Sequence, residues 1–192
     1  AFVMDRRAAV FASFAFASMP GVFYHSHLDC FDVPIAFFMT LTAYAYWRAL
    51  ADRRWLPILG VVFGLALATK HNSWMLPGIF LVHFLWLRAD QSRAGAPSRT
   101  SWAWLGSMAL LGPIVFFACW PWVWHDTWAR IGAYASFHLR HVHYTYQYLG
   151  TSYFAPPLPI SVPFVMTLFT VSLPVLLLAA LGIYACRRQL RP

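Results

Sequence analysis

Glutamate is absent from this chain of 192 residues, and lysine occurs once, at position 70. Charged residues are only 10% of the total, against about 25% in soluble globular proteins. That scarcity argues against a water-soluble domain. Cysteine is almost as scarce: Cys30, Cys119 and Cys186 lie in or beside separate apolar runs, without CxxC spacing. A disulfide framework and a zinc knuckle both need closer, paired cysteines. The formal charge of +8 comes mainly from arginines spread in short clusters along the chain. Neither a basic stripe nor a recognition module appears, so no nucleic-acid partner is expected. No basic segment followed by an apolar core and cleavage site marks a signal peptide. Little lysine with abundant Ala and Arg suits a GC-rich bacterial genome.

What is present is apolar surface. Hydrophobic residues make up 60% of the chain, more than a core of this size needs, and the excess calls for lipid. A helix crosses the hydrocarbon with about 20 residues, or somewhat fewer when aromatics and arginines anchor its ends. Six apolar runs qualify as spans, at residues 8–23, 32–47, 56–69, 73–87, 102–119 and 162–185. The expected fold is therefore all-α and integral to a membrane. Prolines 20, 34, 57, 77, 113 and 174 fall at or inside the span ends, where a helix tolerates a break. Thr69-Lys70-His71-Asn72 joins the short third and fourth spans into a helical hairpin. Gly60, Gly64 and Ala68 line one stripe of the third span, a small-xxx-small face suited to close helix packing.

The gaps between spans carry two alternating chemistries. Arg6/Arg7, Arg48/Arg53/Arg54, Arg88/Arg93/Arg99 and Arg187/Arg188/Arg191 fill one set. Arginine on every second connection is the positive-inside pattern, so these gaps are expected in the cytoplasm, near anionic headgroups. The other set then faces the periplasm of a bacterial inner membrane. It holds Lys70, Arg130 and Arg140, with Asp29, Asp32, Asp126 and every histidine except His83, which lies within the fourth span. The outer segment 120–161 is expected to contain an interfacial helix. Tyr134, Phe137, His141, Tyr144 and Tyr148 recur at spacings of three and four, one stripe of a helix. Trp120, Trp122, Trp124 and Trp128 precede it, and Pro156, Pro157 and Pro159 force an extended return to the last span.

Three constellations on that face carry chemistry. His25, His27, Asp29 and Asp32 open the second span. The two carboxylates, three residues apart, either cap the helix or form a site. Ionisable groups at a membrane boundary favour the second reading. Lys70, with His71 and Asn72, either snorkels to water or clamps a phosphate. His138, Arg140, His141 and His143 sit close together, and their HxxH and HxH spacings suit zinc, phosphate or a plain polar face. A divalent metal thus stays open as a cofactor, and no other cofactor is implied. Arg140 suits bidentate contact with phosphate oxygens. Trp-Pro-Trp-Val-Trp, residues 120–124, reads as an aromatic belt or a sugar platform. His125-Asp126 reads as a site pair or a turn.

Phosphate-binding cations, carboxylates and aromatics beside lipid fit a lipid-linked phosphate substrate. At these residues the chain resembles a known family. His27-Leu-Asp-Cys-Phe-Asp32 opens a span, and Gly64-Leu-Ala-Leu-Ala-Thr-Lys70 leads into a second half-hairpin. Both look like bacterial relatives of the dolichyl-phosphate-mannose–protein mannosyltransferases. These belong to glycosyltransferase family 39, of GT-C fold, and are related to the lipid A aminoarabinose transferases. Trp120-Pro-Trp-Val-Trp-His-Asp126, Phe137-His-Leu-Arg-His141 and the Pro-rich return are similar to the family's later outer loop. The family's acidic pair in its first outer loop has no counterpart here, since Asp5 lies on the arginine side. The resemblance therefore implies the middle of a longer enzyme, without its first two spans and main catalytic aspartate.

The resemblance implies an inverting transfer of mannose or a similar sugar from a polyprenyl phosphate to a hydroxyl of a protein or glycolipid, outside the cytoplasm. Lys70 and Arg140, assisted by His138 or His141, would meet the departing phosphate. Asp29 and Asp32 would be supporting carboxylates, and His25, His27, Asn72, His125 and Asp126 would lie toward the acceptor. The rival expectation is a multi-pass transporter or flippase subunit for a lipid-linked phosphate. A haem-bearing redox subunit is a weaker fit, because paired histidines would have to project from facing spans and only His83 is mid-span.

Overall fold

The computed structural model describes residues 5–28, 30–93, 101–140 and 144–186. The chain divides into two compact units, one of residues 31–139 and another formed by the segments before and after them. The first of these is built from α3 (Asp32–Ala51), α4 (Trp55–Thr69), α5 (Leu76–Arg93), α6 (Ala103–Cys119) and α7 (Thr127–Leu139). The other contains α1 (Arg6–Ala17), α2 (Pro20–Ser26), the strands β1 (Tyr146–Tyr148) and β2 (Thr151–Tyr153), α8 (Val162–Thr170) and α9 (Leu173–Cys186). Helices occupy all six expected apolar segments, and the protein is mostly helical.

The centre of the 31–139 unit is the seam between α4 and α6. A Cβ placed on Gly60 would lie 2.6 Å from the Leu111 Cβ and from the Ser107 carbonyl oxygen. On Gly64 it would lie 2.5 Å from the Val115 Cβ and 2.7 Å from the Gly112 carbonyl oxygen. Only glycine permits that approach of two backbones, so Gly60 and Gly64 of the small-residue stripe do pack as their spacing predicts. Gly112 answers from α6, where the Phe63 ring occupies the space that a side chain would need. The Ser107 hydroxyl, facing the same seam, donates to the Leu56 carbonyl.

Around the seam lie Ala45, Tyr46, Ala49, Leu59, Phe63, Leu76, Phe80, Phe84, Trp104 and Met108, all buried. Tyr46 of α3 stacks on Phe80 of α5 at 4.2 Å between centroids. Its hydroxyl donates to the Phe80 carbonyl at 3.1 Å and also meets His83 Nδ1 at 3.1 Å. His83, expected within the fourth span, thus has a hydrogen-bond partner in Tyr46. The outward faces of α5 and α6 are apolar yet open: Val82 is 71% exposed and Leu110 65%. Such side chains need lipid or protein against them.

No single helix among the described residues is both long and apolar enough to cross a membrane. Two pairs pass that test jointly but are bent, α1 with α2 by 68° and α8 with α9 by 115°. The shorter α4 and α6 are apolar but have 15 and 17 residues. α3 has the length, 20 residues, but carries Asp32 in its first turn and Arg48 in its last.

One expected element differs. α7 ends at Leu139, so the stripe through Tyr144 and Tyr148 is not helical. Tyr146–Tyr148 instead pairs antiparallel with Thr151–Tyr153, with Tyr148 opposite Thr151. The two turn residues, Leu149 at φ 47° and Gly150 at φ 81°, both take the left-handed conformation. That is the backbone of a tight two-residue hairpin, whose twist matches its strands. Alternating Tyr, Gln, Thr and Ser suit a strand, and a three-and-four spacing of aromatics did not distinguish the two. Tyr148 is held by a 2.8 Å hydrogen bond between its hydroxyl and that of Ser161.

Candidate functional site

The chemistry-bearing end of the 31–139 unit is assembled by chain breaks. α4 stops where Lys70 turns extended, at φ −158° and ψ 140°. The chain then winds through a 3-10 turn, His71–Met75, into α5. Ser73 secures this turn: its buried hydroxyl donates to the Lys70 carbonyl at 2.9 Å. Extended backbone at Lys70 directs its side chain off the helix, and its ammonium meets Asp32 Oδ1 at 2.8 Å. Asp32 sits in the first turn of α3, where free backbone N–H groups also favour a carboxylate. The pair is only partly shielded, with side chains 32% and 50% exposed.

Beside it is a recess of about 460 Å³ lined by residues of α4, α6, α7 and the 3-10 turn, together with Phe31, Lys70 and Trp120 at helix ends. Leu67, Ala68, Thr69 and Lys70 give one wall, and His71 another. Phe31, Phe116, Trp120, Tyr134 and His138 complete it. Aromatic contacts hold the lining in place. The imidazoles of His71 and His138 stack at 4.0 Å, while Tyr134 meets His138 edge-on at 4.5 Å and Trp120 at 4.9 Å. Trp74 packs on both Tyr134 and His138, at 5.8 and 6.0 Å. Trp120 stacks on Trp122 at 5.1 Å. Burial raises the Tyr134 phenol above its ordinary pKa of 10.0. The result is an apolar cup with a cation, two imidazoles and a phenol on its polar side.

The expected site residues separate into groups. Asp32, Lys70, His71 and His138 come together. Asn72 is exposed in the 3-10 turn and is not part of the recess lining. His125 and Asp126 form the turn reading: Asp126 takes φ 48°, and its carbonyl accepts from the Arg130 amide at 3.0 Å as α7 begins. Arg130 is held by Trp122, donating to its carbonyl and lying over its ring at 5.2 Å. In the other unit, His27 turns back onto α2, its Nδ1 2.7 Å from the Phe23 carbonyl oxygen. His25 lies against Tyr24 and is exposed. Arg140 is the first residue of that unit after α7 and is exposed. Asp29, His141 and His143 lie outside the described residues.

Stacked rings are a poor chelate. Imidazole lone pairs lie in the ring plane, and two rings stacked face to face at 4.0 Å do not aim their nitrogens at one ion. His71 and His138 therefore do not by themselves form a metal site. The residues themselves pointed to Lys70 and His138 as site residues and to Tyr134 only as part of an aromatic stripe, and gave no sign of Phe31 and Phe116. No chemical signal marks these in a chain so rich in aromatics; only the packing brings them to the recess.

A family model described as dolichyl-phosphate-mannose-protein mannosyltransferase matches residues 1–124. The chain belongs to this family. It is accordingly a membrane glycosyltransferase of the mannosyltransferase type. The match includes the Asp32–Lys70 pair and Trp120 of this mannosyltransferase-family chain, and it stops before α7. No curated protein and no solved structure matches.

Proposed function

We propose that this protein takes part in an inverting transfer of a sugar from a polyprenyl phosphate to a hydroxyl acceptor on the extracytoplasmic face of a bacterial inner membrane. The observation that carries this reading is the position of Lys70, the chain's one lysine, at the edge of an aromatic-lined recess. A lipid-linked phosphate has the matching division of chemistry, apolar behind and anionic in front. When the glycosidic bond breaks, the lipid phosphate takes the electron pair, and a fixed cation lowers the energy of that charge. Lys70 supplies that cation. Tyr134 and His138, which line the same recess, would donate hydrogen bonds to phosphate or sugar oxygens.

Arg140 and His141 remain proposed helpers on the phosphate, with Asp29 and Asp32 as supporting carboxylates. Removal of the acceptor's proton needs a general base, for which a carboxylate on the same face is suited. The arginine pattern supports the sidedness, since Lys70 and α7 fall on the arginine-poor side.

The test is turnover. Membranes holding the full-length protein, given a polyprenyl-phosphate sugar and an acceptor, should release free polyprenyl phosphate only when the acceptor is present. Movement of the intact lipid across vesicles without that release would make it a transporter. Sidedness has its own check: a reporter fused after Arg99 should be active only in the cytoplasm.

A further inference from the structure

The Lys70 ammonium that the proposed function assigns to phosphate already holds a carboxylate, with Asp32 Oδ1 at 2.8 Å. A site meant only for strong anion capture would leave the ammonium to water. Asp32 lies in α3 and pairs with Lys70 in the break after α4. Both side chains remain partly exposed, so the pair is open to exchange with a ligand.

We propose that Asp32 is a charge filter for the Lys70 site, favouring a singly charged phosphodiester over phosphomonoesters and diphosphates; this rests on the reading of Lys70 as the phosphate contact. Two acceptors on one ammonium each sit about 2.8 Å from the nitrogen, so a bound phosphate oxygen lies about 4–5 Å from the carboxylate. The carboxylate repels each negative charge placed there. One charge is offset by Lys70, and every further charge adds repulsion without adding a partner. A sugar linked through a phosphodiester carries one charge. The lipid monophosphate left after transfer carries about 1.5 to 2. The same filter therefore lets the donor bind while weakening the hold on the product, which aids its release. Asp32 is in this sense a specificity-determining residue beside the phosphate contact.

The experiment measures binding of three probes to the full-length protein in detergent: farnesyl methyl phosphate, farnesyl phosphate and farnesyl diphosphate. Asp32→Asn keeps shape and removes charge. It should tighten the methyl diester about threefold, a change of the size expected for a partly exposed charge interaction. The gain should grow with probe charge, to about tenfold or more for the diphosphate. Lys70→Ala should weaken all three. Equal gains for the three probes, or no gain, with Lys70→Ala still weak, would overturn the filter and leave the phosphate site standing. Lys70→Ala binding like the native protein would remove the phosphate reading itself. Asp32→Ser repeats the measurement if the asparagine variant does not fold, and failure of both to fold would mark the pair as structural and overturn the filter.

Discussion

The two ends of α4 use one stripe of small residues for opposite purposes. At Gly60 and Gly64 the absence of a side chain lets α6 approach until backbone meets backbone, and nothing larger fits. One turn further on, Ala68 continues the stripe, but there it is exposed and lines the recess. α6 has ended at Cys119 and the chain has turned away through Trp120. The same residue size therefore means helix contact where a neighbour is present and room for a ligand where the neighbour has left.

Substitutions can break this comparison, and the largest effect belongs to the packed end. Gly64→Leu should destabilise the protein by about 3 kcal/mol or more, because overpacking against backbone has no soft neighbour to yield. Loss of folded protein in a thermal melt in detergent checks it, and a native melt would show that the seam is looser than its geometry. Lys70→Ala comes next. It should lower kcat/KM for the lipid-linked donor about a hundredfold, the usual scale for losing one group that stabilises a departing anion. Stability should change by less than about 1 kcal/mol, since the ion pair is partly exposed.

Ala68→Leu sharpens the contrast, because it enlarges the stripe at its open end. The melt should stay within about 0.5 kcal/mol of native stability. Donor turnover should fall about tenfold or more as the side chain occupies the recess, since even one methylene in a pocket changes turnover by about 10–200-fold. If Ala68→Leu instead destabilises as Gly64→Leu does, the recess is closed by packing and is no binding site.

The smallest effect is expected at Tyr134. Its phenol is raised above 10.0 by burial, so the folded form resists ionisation while the unfolded chain ionises at the ordinary value. Stability linked to it is intact below pH 10 and declines as pH rises through 10 toward the folded value. Tyr134→Phe should remove that part of the alkaline decline, read as a shallower fall in melting temperature above pH 10.

Much of this was legible in the residues. All six apolar runs are largely helical, although the first and the last each break into two helices. Lys70 stood out because it is the chain's one lysine, and its place at the α4 break followed from Thr69-Lys70-His71-Asn72 standing between two apolar runs. Gly60 and Gly64 announced a close helix contact without saying which helix would make it. What failed was the aromatic stripe from Tyr134 to Tyr148. Tyr and Phe at spacings of three and four describe one helix face, but the left-handed pair Leu149-Gly150 converts the second half into a hairpin. The partnership of Asp32 with Lys70 was not legible either, because 38 residues separate them along the chain.

Composition already pointed to lipid: with 60% hydrophobic and 10% charged residues the chain departs far from soluble proteins. The sequence by itself also determined which connections carry arginine and which carry histidine and aspartate. Tertiary structure alone decided that α6 is the partner of the glycine stripe, that Phe31 and Phe116 border the recess, and that a carboxylate holds the lysine. Composition sums over residues and survives any arrangement of them, whereas an ion pair depends on two side chains arriving within 2.8 Å. That meeting is set by where helices stop and how they pack, and no local stretch of sequence encodes it.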